Sequence, residues 1–117
     1  MQPLNFNGLD TIVHGPVRLG VLTSLQMDGA LDFTHLKQRL DVADGALGTH
    51  LIKLEDAGYI ACKKSFVGRR PRSTYRITAV GQRALRTYLD TLGRVIEAVE
   101  KTDSLVQETR LRKPGVK

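Results

Sequence analysis

Tryptophan is absent from the 117-residue chain, aromatic residues make up only 5% of it, and there is a single cysteine, Cys62. One cysteine excludes a framework of intrachain disulfides. No apolar run approaches the roughly 20 residues that a membrane-spanning helix needs. The first seven residues lack the basic segment and apolar core of a secretory signal. These absences predict a cytoplasmic protein.

Motifs for catalysis and for metal binding are also missing from the sequence. His14, His35, His50 and Cys62 are too widely spaced to form a typical metal site. There is no glycine-rich phosphate loop, nucleophile elbow or HExxH motif. We therefore predict no catalytic residues, no metal and no cofactor, and we expect that the protein is not an enzyme.

Charge of one sign is in excess. The chain has 18 Lys and Arg against 12 Asp and Glu, a formal net charge of +6. A basic chain of this length suits a single domain with an anionic partner, and nucleic acid is the first candidate. Many basic proteins bind no nucleic acid. The placement of the charge along the sequence therefore has to distinguish a nucleic-acid-binding protein from an ordinary basic one.

The organising stretch runs from Asp44 to Ile60. Leu47, Leu51 and Leu54 recur at i, i+4 and i+7, which predicts a helix over 44–57 with one apolar face. Asp44 is a candidate N-cap, and a glycine at position 58 would end the helix in a left-handed conformation.

A second, shorter helix precedes the organising stretch. It has Asp32 as its candidate cap and Phe33, Leu36 and Leu40 on its apolar face. The two helices are separated by residues 41–43, which predicts a helix-turn-helix. Ala30 and Leu31, just before the shorter helix, are candidates for a small edge strand.

The pattern after Gly58 changes to a period of two. Ile60 and Cys62 lie on one strand, Tyr75 and Ile77 lie on a return strand, and 67–72 is the predicted loop. Thr78 would cap a long final helix. The predicted domain covers 1–101, and a basic tail, 102–117, is expected to be disordered.

The predicted DNA contacts of the 44–57 helix are Gly45, Thr49, His50 and Lys53. Thr49 can contact a base edge or a phosphate, and a lysine at position 53 suits a phosphate. His50 suits either a DNA contact or an ordinary surface position. Glycine is a poor helix former, so Gly45 suggests close approach of DNA, and Gly48 suggests either DNA or a neighbouring helix. Two residues of the shorter helix, Lys37 and Arg39, are weaker phosphate candidates.

The hairpin between Lys63 and Arg76 has six basic residues and no acid. Arginines in a loop of this kind are suited to the narrow minor groove of A·T-rich DNA, although a solvated charged hairpin would show the same composition. The basic positions that we predict to contact DNA are Lys63, Lys64, Arg69, Arg70 and Arg72.

Residues 47–60 resemble the recognition helix and first wing strand of MarR- and ArsR-type winged-helix regulators. Residues 68–81, beginning Gly-Arg-Arg-Pro, resemble their wing and the start of their next helix. The resemblance spans about residues 9–100. It implies a mainly α (α+β) fold, a winged helix-turn-helix with a two-stranded wing and a long C-terminal dimerisation helix. It also implies a recognition helix in the major groove and a wing at the minor groove.

The apolar stripe of the final helix has two interpretations: it packs only on its own core, or it also pairs with a second copy. We favour a homodimer, with Leu85, Tyr88, Leu89, Leu92, Ile96 and Val99 as the dimerisation residues. The predicted function is a sequence-specific regulator of transcription that binds double-stranded DNA, acting as a repressor. The alternative is a winged-helix module that docks a protein. Cys62 suits either a buried inert thiol or a redox sensor, and the paired cysteines of metal-sensing ArsR proteins are missing.

Overall fold

The structure is a computed structural model that describes residues 4–112, with side chains as far as Ser104. Three short helices precede a β-hairpin, and a long helix follows it. The elements are α1 (Pro16–Asp28), β1 (Leu31–Asp32), α2 (Phe33–Leu40), α3 (Asp44–Asp56), β2 (Ile60–Val67), β3 (Arg70–Ile77) and α4 (Ala79–Arg112). The strands form an antiparallel sheet in the order β1-β3-β2, so β3 is central. This is the predicted winged helix-turn-helix.

The core lies between the three short helices, the sheet and the start of α4. Leu47, Leu51 and Leu54 of α3 are all buried, as their spacing predicts. They join apolar side chains from every other helix and from β2 and β3. The opposite face of α3 is therefore left outward.

The boundaries of these elements follow from local capping. Asp32 accepts a hydrogen bond from the amide of His35 at 2.9 Å, and Thr78 Oγ1 accepts one from the amide of Gly81 at 3.0 Å. Gly58, with φ of 78°, follows the end of α3, and its amide donates to the Glu55 carbonyl. A left-handed residue of this kind favours glycine.

The predicted cap at Asp44 is wrong. Ala43 occupies the N-cap position without a side-chain hydrogen bond, and Asp44 is the first helical residue. Its carboxylate instead lies 2.7 Å from Lys37 Nζ on α2. An acid in the first turn still interacts favourably with the helix dipole, and the lysine adds an ion pair.

The hairpin turn is shorter than the predicted loop 67–72. Strand pairing continues to Val67 opposite Arg70, which leaves Gly68 and Arg69 as the turn. Gly68 has φ of 64°. A positive φ at the first central residue is typical of a type II′ turn, whose twist matches that of the flanking strands. Arg70 and Arg72 therefore belong to β3.

Helix α4 continues to Arg112, beyond the predicted boundary at residue 101. Residues 97–112 are rich in Glu, Lys, Gln, Leu and Arg, which extend a helix without needing a core to pack on. The rest of the predicted tail, 113–117, lies outside the described residues. Between residues 4 and 112, no helix combines the length and the apolar character needed to cross a membrane.

Candidate nucleic-acid interface

The outward face of α3 is formed by Gly45, Thr49, Ile52, Lys53 and Asp56, all of which are exposed. It begins with small residues and ends with an acid. Thr49 Oγ1 donates to the Gly45 carbonyl at 2.9 Å. The hydroxyl proton is thus used within the helix, which leaves the threonine methyl group and an oxygen lone pair for an external partner.

No packing contact among the described residues requires glycine at either of the two glycine positions of α3. A Cβ atom added at Gly45 or Gly48 would have no neighbour within 4 Å among the described residues. Each glycine costs a helix about 1 kcal/mol relative to alanine. The suggestion that Gly48 makes room for a neighbouring helix is therefore wrong, and the space beside both residues is open to a ligand.

His50, which the sequence left open between a DNA contact and an ordinary surface position, is half-buried beside α1. Its Nδ1 lies 3.0 Å from Arg18 Nη1 of α1. Burial, and then the charges of Arg18 and Lys53, lower the pKa of His50 below its usual value of 6.5. The ring is therefore neutral at pH 7 and accepts a hydrogen bond from the guanidinium.

Arg18 is a positioning residue that the sequence analysis missed. Its guanidinium also donates to the carbonyls of Ile12 at 2.7 Å, His14 at 2.8 Å and Thr11 at 3.2 Å. It thereby joins the segment before α1 to α3. Arg18 could have been recognised from the sequence as a lone arginine within the apolar face of α1, since it adjoins Val17 and lies four residues before Leu22.

The hairpin presents five basic side chains that have no acidic partner within 4 Å in the described part of the chain. They are Lys63, Lys64, Arg69 and Arg70, to which Arg76 is added near the end of β3, and all five are exposed. Lys53 of α3 is likewise exposed and outside every ion pair among residues 4–104. These cations are available to phosphates.

Arg72 differs from the other wing arginines. Its Nη2 lies 2.9 Å from Asp32 Oδ2, and its Nε lies 3.1 Å from the same oxygen. The predicted DNA contact at Arg72 is therefore not a free cation, because strand β1 brings an acid beside β3. Lys37 pairs in the same way with Asp44, and Arg39 pairs with Asp28.

Asp32 combines this ion pair with its capping role. The hydrogen bond from the His35 backbone, together with Arg72, outweighs the effect of burial and lowers the pKa of Asp32 to about 2. The carboxylate therefore remains charged throughout the physiological range.

Two of the six predicted dimerisation residues are part of the chain's own core. Leu85 and Tyr88 are each only 4% exposed. Tyr88 Oη also lies 2.9 Å from His14 Nδ1. Four apolar side chains, Leu89, Leu92, Ile96 and Val99, remain at least partly exposed at i, i+3, i+7 and i+10.

Cys62 pairs with Tyr75 across β2 and β3 and is half-buried. Burial, followed by the neighbouring Cys62, raises the pKa of Tyr75 to about 12. The thiol thus lies beside a neutral phenol at the edge of the core.

Comparison with known proteins agrees with this architecture. Residues 17–96 match the family described as "Winged helix DNA-binding domain". The uncharacterized protein MJ0432 of Methanocaldococcus jannaschii is 35% identical over 78 residues, which are 67% of this chain and 85% of the relative. A transcriptional regulator homologue from Pyrococcus horikoshii OT3 is 31% identical, with a TM-score of 0.69 over 75% of this chain and 87% of that one.

A MarR-family regulator from Enterococcus faecalis V583 shares the fold, with 23% identity and a TM-score of 0.64 over 80% of this chain and 84% of that one. The protein belongs to the winged-helix DNA-binding domain family. It thus has the fold of a DNA-binding regulator of transcription.

Proposed function

We propose that the protein is a homodimeric, sequence-specific transcriptional repressor that grips two grooves of one DNA duplex. Helix α3 lies in the major groove, and the tip of the hairpin reaches the minor groove. The observation that carries this proposal is the set of exposed hairpin cations that have no acidic partner among the described residues, Lys63, Lys64, Arg69, Arg70 and Arg76. The hairpin follows a helix, α3, whose outward face begins with small residues.

The two elements have different roles. Lysine and arginine side chains that neutralise phosphates supply affinity without sequence information, whereas side chains in the major groove read base edges. Lys53 belongs to the first group. Thr49 belongs to the second, and the open space beside Gly45 lets the helix backbone approach the groove.

The dimer is proposed to form through α4. This helix has 34 residues, a length of about 51 Å, and its last fully buried residue is Thr91 among those whose side chains are described. Leu89, Leu92, Ile96 and Val99 offer an apolar face that a second copy would cover. Two-fold symmetry would place the recognition helices about 34–36 Å apart, over half-sites one helical turn apart.

Repression by occlusion follows from this arrangement, since it requires only that the dimer occupy a promoter. The test is a gel shift with double-stranded DNA at several salt concentrations. If about six to eight phosphates are neutralised per dimer, log K should fall against log salt with a slope of about −5 to −7. Binding that does not respond to salt would contradict the mechanism.

A second candidate is a module that docks a protein, and the exposed Ile52 favours it. Such a module has no need of an acid-free cationic hairpin. Binding to duplex DNA at moderate salt separates the two functions, because a protein-docking module would show none.

A further inference from the structure

The largest side chain at the centre of the outward face of α3 is apolar. Ile52 is 60% exposed, although it lies within a helix whose other face packs on the core. One turn towards the N-terminus lies Thr49, whose hydroxyl proton is engaged by the Gly45 carbonyl. The face thus offers two aliphatic groups where a recognition helix usually offers hydrogen-bond donors.

Charge around this face indicates what covers it. Lys53 adjoins Ile52, and the unpaired cations of the hairpin extend the positive field. An apolar protein surface would gain nothing from these charges, whereas a polyanion with apolar groups on its surface would satisfy both features. The major groove of DNA is such a surface, because every thymine displays a C5-methyl group there.

We propose that Thr49 and Ile52 read the C5-methyl groups of thymines in the major groove. This inference rests on the proposed DNA-binding function and specifies what the recognition helix reads. The two residues are separated by about 4.5 Å along the helix axis, close to the 3.4 Å between base pairs. The preferred half-site therefore contains thymines at adjacent or next-adjacent base pairs.

The glycines of α3 support this geometry. Methyl–methyl contact requires atoms to approach within about 4 Å, so the helix must sit deep in the groove. The space beside Gly45 and Gly48 is open, so neither residue holds the helix away from the bases. Asp56, one turn beyond Ile52, would repel the DNA phosphates, which confines the contact to the residues before it.

The test begins with selection of a preferred site from a random duplex library, using the full chain. Each thymine of the site is then replaced singly by deoxyuridine, which removes only the methyl group. Burying one methyl group changes affinity about fourfold, so we expect Kd to rise about fourfold at each thymine that α3 contacts. Replacements between the half-sites serve as the DNA control and should leave Kd unchanged.

The protein variant Ile52→Ala assigns the contact. It should bind the thymine site about fourfold or more weakly, and its deoxyuridine penalty at one position should fall to near unity. Met27→Ala is the matched control, since it also shortens an exposed apolar side chain (74% exposed), on α1. This control should keep the full penalty.

Failure of the inference and failure of the proposed function give different results. If the chain shows no salt-dependent binding to any duplex, the proposed function is wrong and the inference falls with it. Salt-dependent binding without a deoxyuridine penalty overturns only the methyl readout. The methyl readout is also overturned if the Ile52→Ala variant binds as tightly as the parent and keeps the full deoxyuridine penalty. That result would favour a protein as the partner of Ile52.

Discussion

The wing arginines provide the sharpest prediction, because the structure divides them into free and paired side chains. Arg69 and Arg70 are exposed and have no acidic partner among the described residues, whereas Arg72 is held by Asp32. Changing Arg69 and Arg70 together to Ala removes four free cations from the proposed dimer. At about 0.9 counterions per phosphate contact, the salt slope should weaken by about 3 to 4.

The assay is fluorescence anisotropy with a labelled duplex between about 50 and 200 mM salt, the range in which such contacts are most visible. The affinity of the double variant at 100 mM salt should fall by about 10³- to 10⁴-fold, taking equal affinities at about 1 M salt. Arg72→Gln is the matched control, because it removes a charge from the same strand. Its slope should change by less than one unit per dimer, since the Asp32 carboxylate already neutralises that cation.

Circular dichroism should show that all three substitutions leave the fold intact, since the side chains are exposed. A double variant with the parent slope would refute the assignment of Arg69 and Arg70 to phosphates. Equal effects in the double variant and Arg72→Gln would refute the division into free and paired arginines.

Three further predictions concern stability and assembly. Arg18→Met should lower the free energy of unfolding by about 2–3 kcal/mol in urea titrations, because it removes hydrogen bonds from a charged donor to three carbonyls and His50; a loss below about 0.5 kcal/mol would contradict the joining role. The folded-state pKa of Asp32, about 2, lies below its ordinary value of 3.8. The carboxylate therefore stabilises the folded state above pH 4, and this stabilisation is lost as pH falls towards 2. Allowing for solvent screening, Asp32→Asn should cost about 1 kcal/mol at pH 7, and this cost should disappear as pH falls below about 2 in denaturant titrations; a cost independent of pH would refute this. Ile96→Glu should convert the proposed dimer to a monomer in sedimentation experiments, because Ile96 lies within the exposed apolar face of α4, whereas Met27→Glu should not; a dimeric Ile96→Glu variant would exclude this face.

The helix-turn-helix and the hairpin could be predicted from the sequence because their signals are local. The leucines of α3 repeat within three turns, and its C-terminal end depends on a glycine that immediately follows the helix. Strand alternation from Ile60 is also visible over a few residues. Such patterns reflect the geometry of one element, so no knowledge of distant contacts is needed.

The length of the wing turn was harder to predict from the sequence. Gly68 to Arg72 has the composition of a loop, yet pairing of β2 with β3 continues to Val67 and Arg70. A hairpin in which only Gly68 needs a positive φ can close with two residues. The strand pairing therefore limits the turn to two residues, whereas composition alone predicted a longer loop.

The sequence by itself determined which side of α3 points outward and where the basic residues cluster. Periodicity and charge are properties of neighbouring residues, so no distant contact is needed to recognise them. Only the tertiary structure decided which polar side chains are free to meet DNA. Arg72 is paired because β1 brings Asp32 beside it from 40 residues away, and His50 is held by Arg18 from 32 residues away. The same holds for α4, where the core covers Leu85 and Tyr88 but not Ile96 or Val99. A side chain's availability depends on partners remote in sequence, and those partners are fixed only when the chain folds.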